Sequence, residues 1–449
     1  MSRICSMTAG SPVRLLISFS LPLMLGNVFQ QLYTVVDTMV VGKGVGLDAL
    51  AAIGSGDWTY WMMLGIIQGL TQGFGILMAQ HFGAGREEDL RRAVGASVTL
   101  SAVSSAVLVA LGLLLVRPIL VLLHTPEEIL PKAVLYLQIM FLGVPVVMAY
   151  NLLACILRAL GDGKTPLNAM IVACFVNIGL DLLFVMVFRW GIVGAACASV
   201  IAQGCSAVYC LMQLGKIELL RLKRIHFRPA MALSGRLLLL GLPMAVQNIL
   251  IAIGGMIIQS VVNGYGVLFI AGFTASNKLY GVLEIAASSY GYAMSTYVGQ
   301  NLGAGKLDRI KRGMRAGVII AVLTSLVIAV VMLVFGRAIL SMFISGSPVD
   351  VEKTMEIAFA YLSVMSLCLP VLYLLHVYRS ALQGMGDTMR PMVSGIAEFV
   401  MRTGGVMVLP AFLGAAGIYL AEVLAWLGAD MILIPSWIYQ FGKVQRYEN

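Results

Sequence analysis

The sequence predicts an all-α integral membrane protein with about twelve transmembrane helices. Three observations carry this reading. The 449-residue chain is 60% hydrophobic and only 11% charged, with a mean hydropathy of +0.93, whereas soluble domains carry about 25% charged residues. Apolar runs long enough to cross a hydrocarbon core, about 20 residues each, recur along its whole length. The charged residues cluster between those runs, as spanning helices require. A water-soluble enzyme, a disordered chain, a disulfide scaffold and a coiled coil are excluded together.

The expected spans are 13–41, 51–80, 93–117, 132–157, 167–188 and 192–214, then 237–263, 267–299, 313–336, 354–382, 391–412 and 415–440. Pro22, Pro145, Pro243 and Pro370 fall inside them and predict bends, because proline removes a helical donor and crowds the preceding turn. Arg3 and Arg14 precede the first apolar run in the manner of a signal peptide. That run has no small-residue cleavage site and continues into Gln30, Gln31 and Asp37, so it reads as a retained first helix.

The formal charge of +9 would suggest nucleic acid in a soluble chain. Here cytoplasmic loops account for it, and no nucleic-acid partner is expected. One set of loops and tails, including Arg86, Arg91, Arg92, Lys216 to Arg236, Lys306 to Arg315 and Arg379, holds 22 basic residues. The opposite set (Lys43, Arg117, Lys132, Arg189, Arg337 and Lys353) holds 6, and Lys278 and Arg402 lie within spans. This imbalance places both termini in the cytoplasm of a multi-pass protein of the cell membrane. The seven cysteines sit mostly in apolar runs with no CxxC pair, and read as small buried hydrophobes.

The chain repeats itself. Leu21-Pro22 matches Leu242-Pro243, Gln80 to Gly85 matches Gln300 to Gly305, and Gly161-Asp162 with Pro166 matches Gly386-Asp387 with Pro391. Six spans per half start both halves on the same side. The expected architecture is two parallel six-helix bundles, 1–214 and 237–449, related by a pseudo-two-fold axis along the membrane normal. A cytoplasmic linker, 215–236, joins them and a central cavity lies between them.

Asp37 is the first candidate for chemistry. An ionised carboxylate at mid-membrane costs about 2.5–3.5 kcal/mol even on insertion scales, and binding a proton or a cation removes that cost. Gln30, Thr34 and Asp37 share a helix side at spacings of four and three, giving a polar stripe suited to a substrate cavity. Asn177 and Asp181, four apart on the fifth span, share a face. With Asp37 they form a hard, all-oxygen set that could hold Na⁺, or a proton shared between acids. Glu398 and Arg402 are also four apart, either an intrahelical ion pair or a cavity-lining pair. Glu284 is a further cavity candidate, while Lys278, Glu422 and Asp430 lack partners identifiable from sequence. Gly65, Gly69 and Gly73 form a close-packing stripe.

No catalytic constellation is present, so an enzyme is not expected. Gly163-Lys164-Thr165 resembles the end of a phosphate-binding loop, but Arg158 stands where the first glycine is needed. Nothing in the sequence shows a nucleotide site, and no cofactor is expected.

Gln30-Gln31-Leu32-Tyr33-Thr34-Val35-Val36-Asp37-Thr38, the Gln80 to Gly85 loop, Gly161-Asp162-x-x-Thr165-Pro166 and Asn177-x-x-x-Asp181 resemble the multidrug and toxic compound extrusion (MATE) family, nearer its DinF-like branch. The NorM-like branch carries acids in its seventh and tenth spans. Here 237–263 has none, and Glu356 lies only at the start of the tenth. The resemblance implies a cation-coupled (H⁺ or Na⁺) antiporter that exports amphipathic, often cationic drugs or toxins by alternating access. It also matches Ser199 to the family's hydroxyl position beside Asp37, Asn177 and Asp181. The alternative is a lipid-linked precursor flippase of the same wider superfamily, whose diphosphate cargo would need a basic cavity. Small molecules and membrane lipid are the expected partners, and a monomer is the simplest state.

Overall fold

A computed structural model describes residues 4–123, 125–228, 230–344 and 348–448. Among these residues there are helices, turns and short links but no strand. The first half runs α1 (Pro12–Gly44), α2 (Leu47–Gly83), α3 (Glu87–Leu122), α4 (Leu130–Leu142), α5 (Val144–Ala159), α6 (Lys164–Asp181) and α7 (Ile192–Leu214). The second runs α8 (Met231–Asn263), α9 (Val267–Gly303), α10 (Leu307–Leu340), α11 (Pro348–Gly384), α12 (Met389–Val408), the one-turn α13 (Pro410–Leu413) and α14 (Ala416–Glu448).

Every expected span has its helix. Ten are long and apolar enough to cross a membrane, and α4 with α5, bent by 45°, makes an eleventh. The remaining one, α9, is 37 residues long but interrupts its apolar surface with Asn277, Lys278, Glu284 and Ser288. The bend between α4 and α5 has the expected cause: Pro145 has no N–H to continue the ladder, and the chain turns at Gly143, whose carbonyl accepts from Val146 and Val147 at 2.9 and 3.1 Å. Around Pro22, Pro243 and Pro370, α1, α8 and α11 continue as single helices.

By contact the chain forms two compact units. One comprises Met1–Met7 with Leu21–Ala245, the other Thr8–Ser20 with Val246–Asn449. In the first unit, Gly69 and Gly73 of α2 lie directly on the backbone of Ala245 and Gly241 of α8, leaving no room for a side chain. The glycine stripe is therefore a packing seam. Residues 217–228 fold onto α3 through two 3₁₀ turns, Glu218–Leu220 and Arg224–Phe227. Arg91 Nε donates to the Leu219 carbonyl at 2.8 Å. The Lys223 N–H donates to His226 Nδ1 at 2.8 Å, which leaves the buried ring's Nε2–H to donate to Glu88 at 3.2 Å. Gly95 admits the His226 backbone against α3.

The internal repeat is visible in the backbone. Left-handed glycines recur in pairs, Gly46 with Gly266, Gly85 with Gly305, Gly161 with Gly386 and Gly191 with Gly414. In the two Gln80/Gln300 motifs, Ala84 and Ala304 donate to the Gln80 and Gln300 carbonyls at 3.0 Å, and Gly85 and Gly305 then reverse the chain at φ near +69° and +66°, a region glycine enters without steric cost. After Gly161 and Gly386, Asp162 and Asp387 cap the next helix. Asp162 Oδ1 accepts from the Lys164 and Thr165 N–H groups, and Asp387 Oδ1 from Arg390 N–H.

Candidate functional site: a buried carboxyl pair and a buried ion network

In the first unit, α1 and α6 bring Asp37 and Asp181 together. The two carboxyls interact directly, yet among the described residues no donor reaches either Asp181 oxygen or Asp37 Oδ1. Asp181 and Asn177 are fully buried, while Asp37 is half-buried. Asn177 lies one turn before Asp181, as its spacing requires. Its amide N–H₂ reaches Ser199 Oγ of α7 at 3.5 Å, leaving Asn177 Oδ1 without a donor. Four oxygens from three predicted residues are thus buried without a protein hydrogen donor, an arrangement that is costly unless a bound ion or proton satisfies it.

A local break in the helix adjoins this set. Directly after Asp181 the helix widens into a π-helical turn, Leu182–Val187. Phe188 N–H bonds to the Leu183 carbonyl at 2.8 Å, and Phe184 stacks on Trp190 with ring centres 4.8 Å apart. Such widened turns recur at functional sites because they re-aim the side chains around them. Beyond the acids, toward the ends of α1 and the π turn, Val40, Val41, Ala49, Val185 and Ala195 close an apolar cluster. On the other side lie polar groups that spacing alone did not single out. Tyr33, one turn before Asp37, meets Gln203 of α7 (3.5 Å) and Gln30, and Tyr136 of α4 lies within electrostatic reach of Asp37. Gln203 is four residues from Ser199, so a search for polar pairs at helical spacing on the sixth span would have found it. Thr34 is exposed and bonds back to the Gln30 carbonyl at 3.0 Å.

In the second unit, Glu398 and Arg402 form the anticipated intrahelical pair at 3.0 Å, within a larger network. Arg402 also holds Glu422 of α14 at 2.9 Å, and Arg379 of α11 donates to Glu398 at 2.6 Å. With its amide oxygen facing Arg379, Gln247 of α8 accepts from Arg379 Nε at 2.8 Å and Nη1 at 3.2 Å. Sequence reasoning counted Arg379 with the cytoplasmic loops. The structure corrects this: α11 continues to Gly384, and Arg379 is 6% exposed, because a buried carboxylate waits for it on the next helix. Glu284 finds His376 of α11 at 3.6 Å, a partner that sequence reasoning could not name.

The comparisons decide the family. The MatE family profile matches residues 22–183 and again 243–405, once in each half. The chain belongs to the MATE family. Among its relatives, the probable multidrug resistance protein YpnP of Bacillus subtilis (strain 168) is 33% identical over 439 residues, covering 97% of this chain and 96% of that protein. YoeA of the same organism, also named a probable multidrug resistance protein, is 28% identical and covers 95% and 92%. The fold matches solved MATE structures, one in complex with MaL6 (TM-score 0.91, 19% identity, 98% and 99% of the two chains) and an outward-facing one (0.91, 19%, 99% and 99%). This MATE chain is a multi-pass membrane transporter, not an enzyme. Among its described residues no group of three or more His, Cys, Asp or Glu side chains forms a metal cluster.

Proposed function

We propose that this MATE protein exports amphipathic, often cationic small molecules by alternating access, driven by H⁺ or Na⁺ that enters from outside and binds at Asp37, Asn177 and Asp181, with Ser199 orienting the Asn177 amide. The observation that carries the reading is the facing Asp37–Asp181 pair with its unpartnered oxygens. A proton shared between the acids, or a cation held by the four oxygens, removes the cost of two buried carboxylates. Moving one charge inward supplies about 2.3 kcal/mol per 100 mV, and the ion gradient adds to this. The inward- and outward-facing states must differ in affinity for the ion for that energy to move the protein. The relatives named for multidrug resistance support a drug-like cargo. A diphosphate-bearing lipid is less well served, because Arg379 and Arg402 are both engaged by carboxylates.

The orientation we propose keeps both termini in the cytoplasm. Two contacts support it by joining loops assigned to one side: Arg91 with Leu219, and Lys306 Nζ with the Thr8 carbonyl at 3.0 Å. At the opposite end Lys132 pairs with Asp48 at 3.3 Å. A monomer in contact with membrane lipid is the proposed working form.

The test is dye efflux from proteoliposomes with proton and sodium gradients imposed separately. Asp37→Asn is expected to abolish efflux with normal expression and fold. Wild-type rates in that variant remove Asp37 from the mechanism, and the gradient that drives the wild type identifies the ion.

A further inference from the structure

The ion network of the second unit has an odd member. Arg379 and Arg402 balance Glu398 and Glu422 two against two. Asp430, two turns beyond Glu422 on α14, is a fifth charge-bearing group with no cation of its own. It is 6% exposed, and its Oδ1 has no hydrogen-bond partner among the described residues. Arg379 and Glu398 lie within its electrostatic reach, as does Tyr378 of α11. We propose that Asp430 is a second proton-binding carboxyl, whose protonation decides how Arg379 is shared between α12 and α14.

The elements around α14 define what Asp430 meets. From α11 come Arg379, Tyr378 and, through Glu398, His376. From α12 comes Glu398, which Arg402 also holds. The one-turn α13 (Pro410–Leu413) has no titratable side chain, and on α14 itself the nearest acid is Glu422. A metal cation is disfavoured there, because the guanidinium of Arg379 repels it and the Glu398 oxygens already accept from two arginines. A proton meets neither objection. Taken from the aqueous phase, it turns the carboxylate into a neutral group with an O–H donor, and Arg379 stays with Glu398 and Gln247 as observed. When the proton leaves, Asp430 becomes a second anion competing for Arg379. Any shift of Arg379 toward α14 weakens its 2.6 Å bond to Glu398 and loosens α11 from α12. Proton loss at Asp430 thereby changes helix packing in a half that has no acid in its seventh span.

This site is additional to the proposed ion site at Asp37 and Asp181, and its test removes those residues. Full-length protein carrying Asp37→Asn and Asp181→Asn is titrated between neutral and acidic buffer, and infrared difference spectra record the C=O band of protonated carboxyls. The expected result is a band that grows on acidification and loses one carboxyl's intensity when Asp430→Asn is added. An unchanged band overturns the proposal. Should Asp430→Asn fail to fold, Asp430→Glu serves instead: a displaced midpoint for that component supports the site, and a superimposable titration overturns it. Efflux that survives Asp37→Asn would sink the first-unit reading and leave this infrared result standing.

Discussion

Glu398 sits between two guanidiniums, accepting from Arg379 at 2.6 Å and Arg402 at 3.0 Å while almost wholly buried. Buried ion pairs add little net stability when intact, but removing one partner leaves an uncompensated charge and costs about 3–5 kcal/mol. Glu398→Gln leaves Arg379 without a carboxylate while Arg402 keeps Glu422, so its thermal unfolding midpoint in detergent is expected to fall by the equivalent of that cost. Arg379→Gln in the same chain is expected to recover part of the loss. In the first unit, Asp181→Asn removes one of two facing carboxyls and supplies an amide donor to the other. It is expected to keep the fold, because an amide satisfies a neighbour that now has none, and to abolish ion-driven efflux in proteoliposomes. What was legible at this scale follows chain distance. Glu398 and Arg402, or Asn177 and Asp181, announce themselves four apart on one helix. Arg379 with Glu398, Glu284 with His376 and Tyr33 with Gln203 meet between different helices, and no spacing rule links them.

At the scale of elements, helix positions were readable because span length and apolar content are properties of the segment itself. The bend between α4 and α5 was readable from Pro145. The π-helical turn after Asp181 was not: Leu182 to Val187 is an ordinary apolar run, and the widening accompanies its aromatic stack and the chain reversal at Gly191. The α2–α8 seam joins the two levels, since the glycine repeat predicted close packing and the structure supplies the partner backbone at Gly241 and Ala245. Adding a methyl group there forces helices apart, and overpacking of this kind typically costs about 1–3 kcal/mol. Gly73→Ala is therefore expected to lower the unfolding midpoint, whereas Gly54→Ala, on the same helix with open space beside it, should leave it unchanged or raise it slightly through better helix propensity. Equal melting of the two variants would remove the seam from the account.

For the whole molecule, the decisive inference is which side of the membrane each loop faces, because it fixes which face of the protein takes up cargo and which takes up the ion. The positive-inside argument uses only loop composition, and the structure adds an independent grouping. Residues 217–228 are tied to the start of α3 by Arg91 and His226, while the α9–α10 turn meets the N-terminal segment through Lys306 and Arg309, which reach the Thr8 and Gly10 carbonyls at 3.0 Å. Each basic loop therefore keeps company with another basic loop, and Lys132 with Asp48 marks the other end of the first unit. Single cysteines at exposed positions of a cysteine-free background, labelled in intact cells with a membrane-impermeant maleimide, test this directly. Lys43→Cys and Arg117→Cys are expected to label from outside, and Arg221→Cys and Lys311→Cys only after the membrane is opened. Reversal of that pattern would overturn the proposed orientation and exchange the faces on which cargo and ion are taken up, while the direction of exchange, which the gradient sets, and every contact of the Asp37–Asp181 site would stay the same.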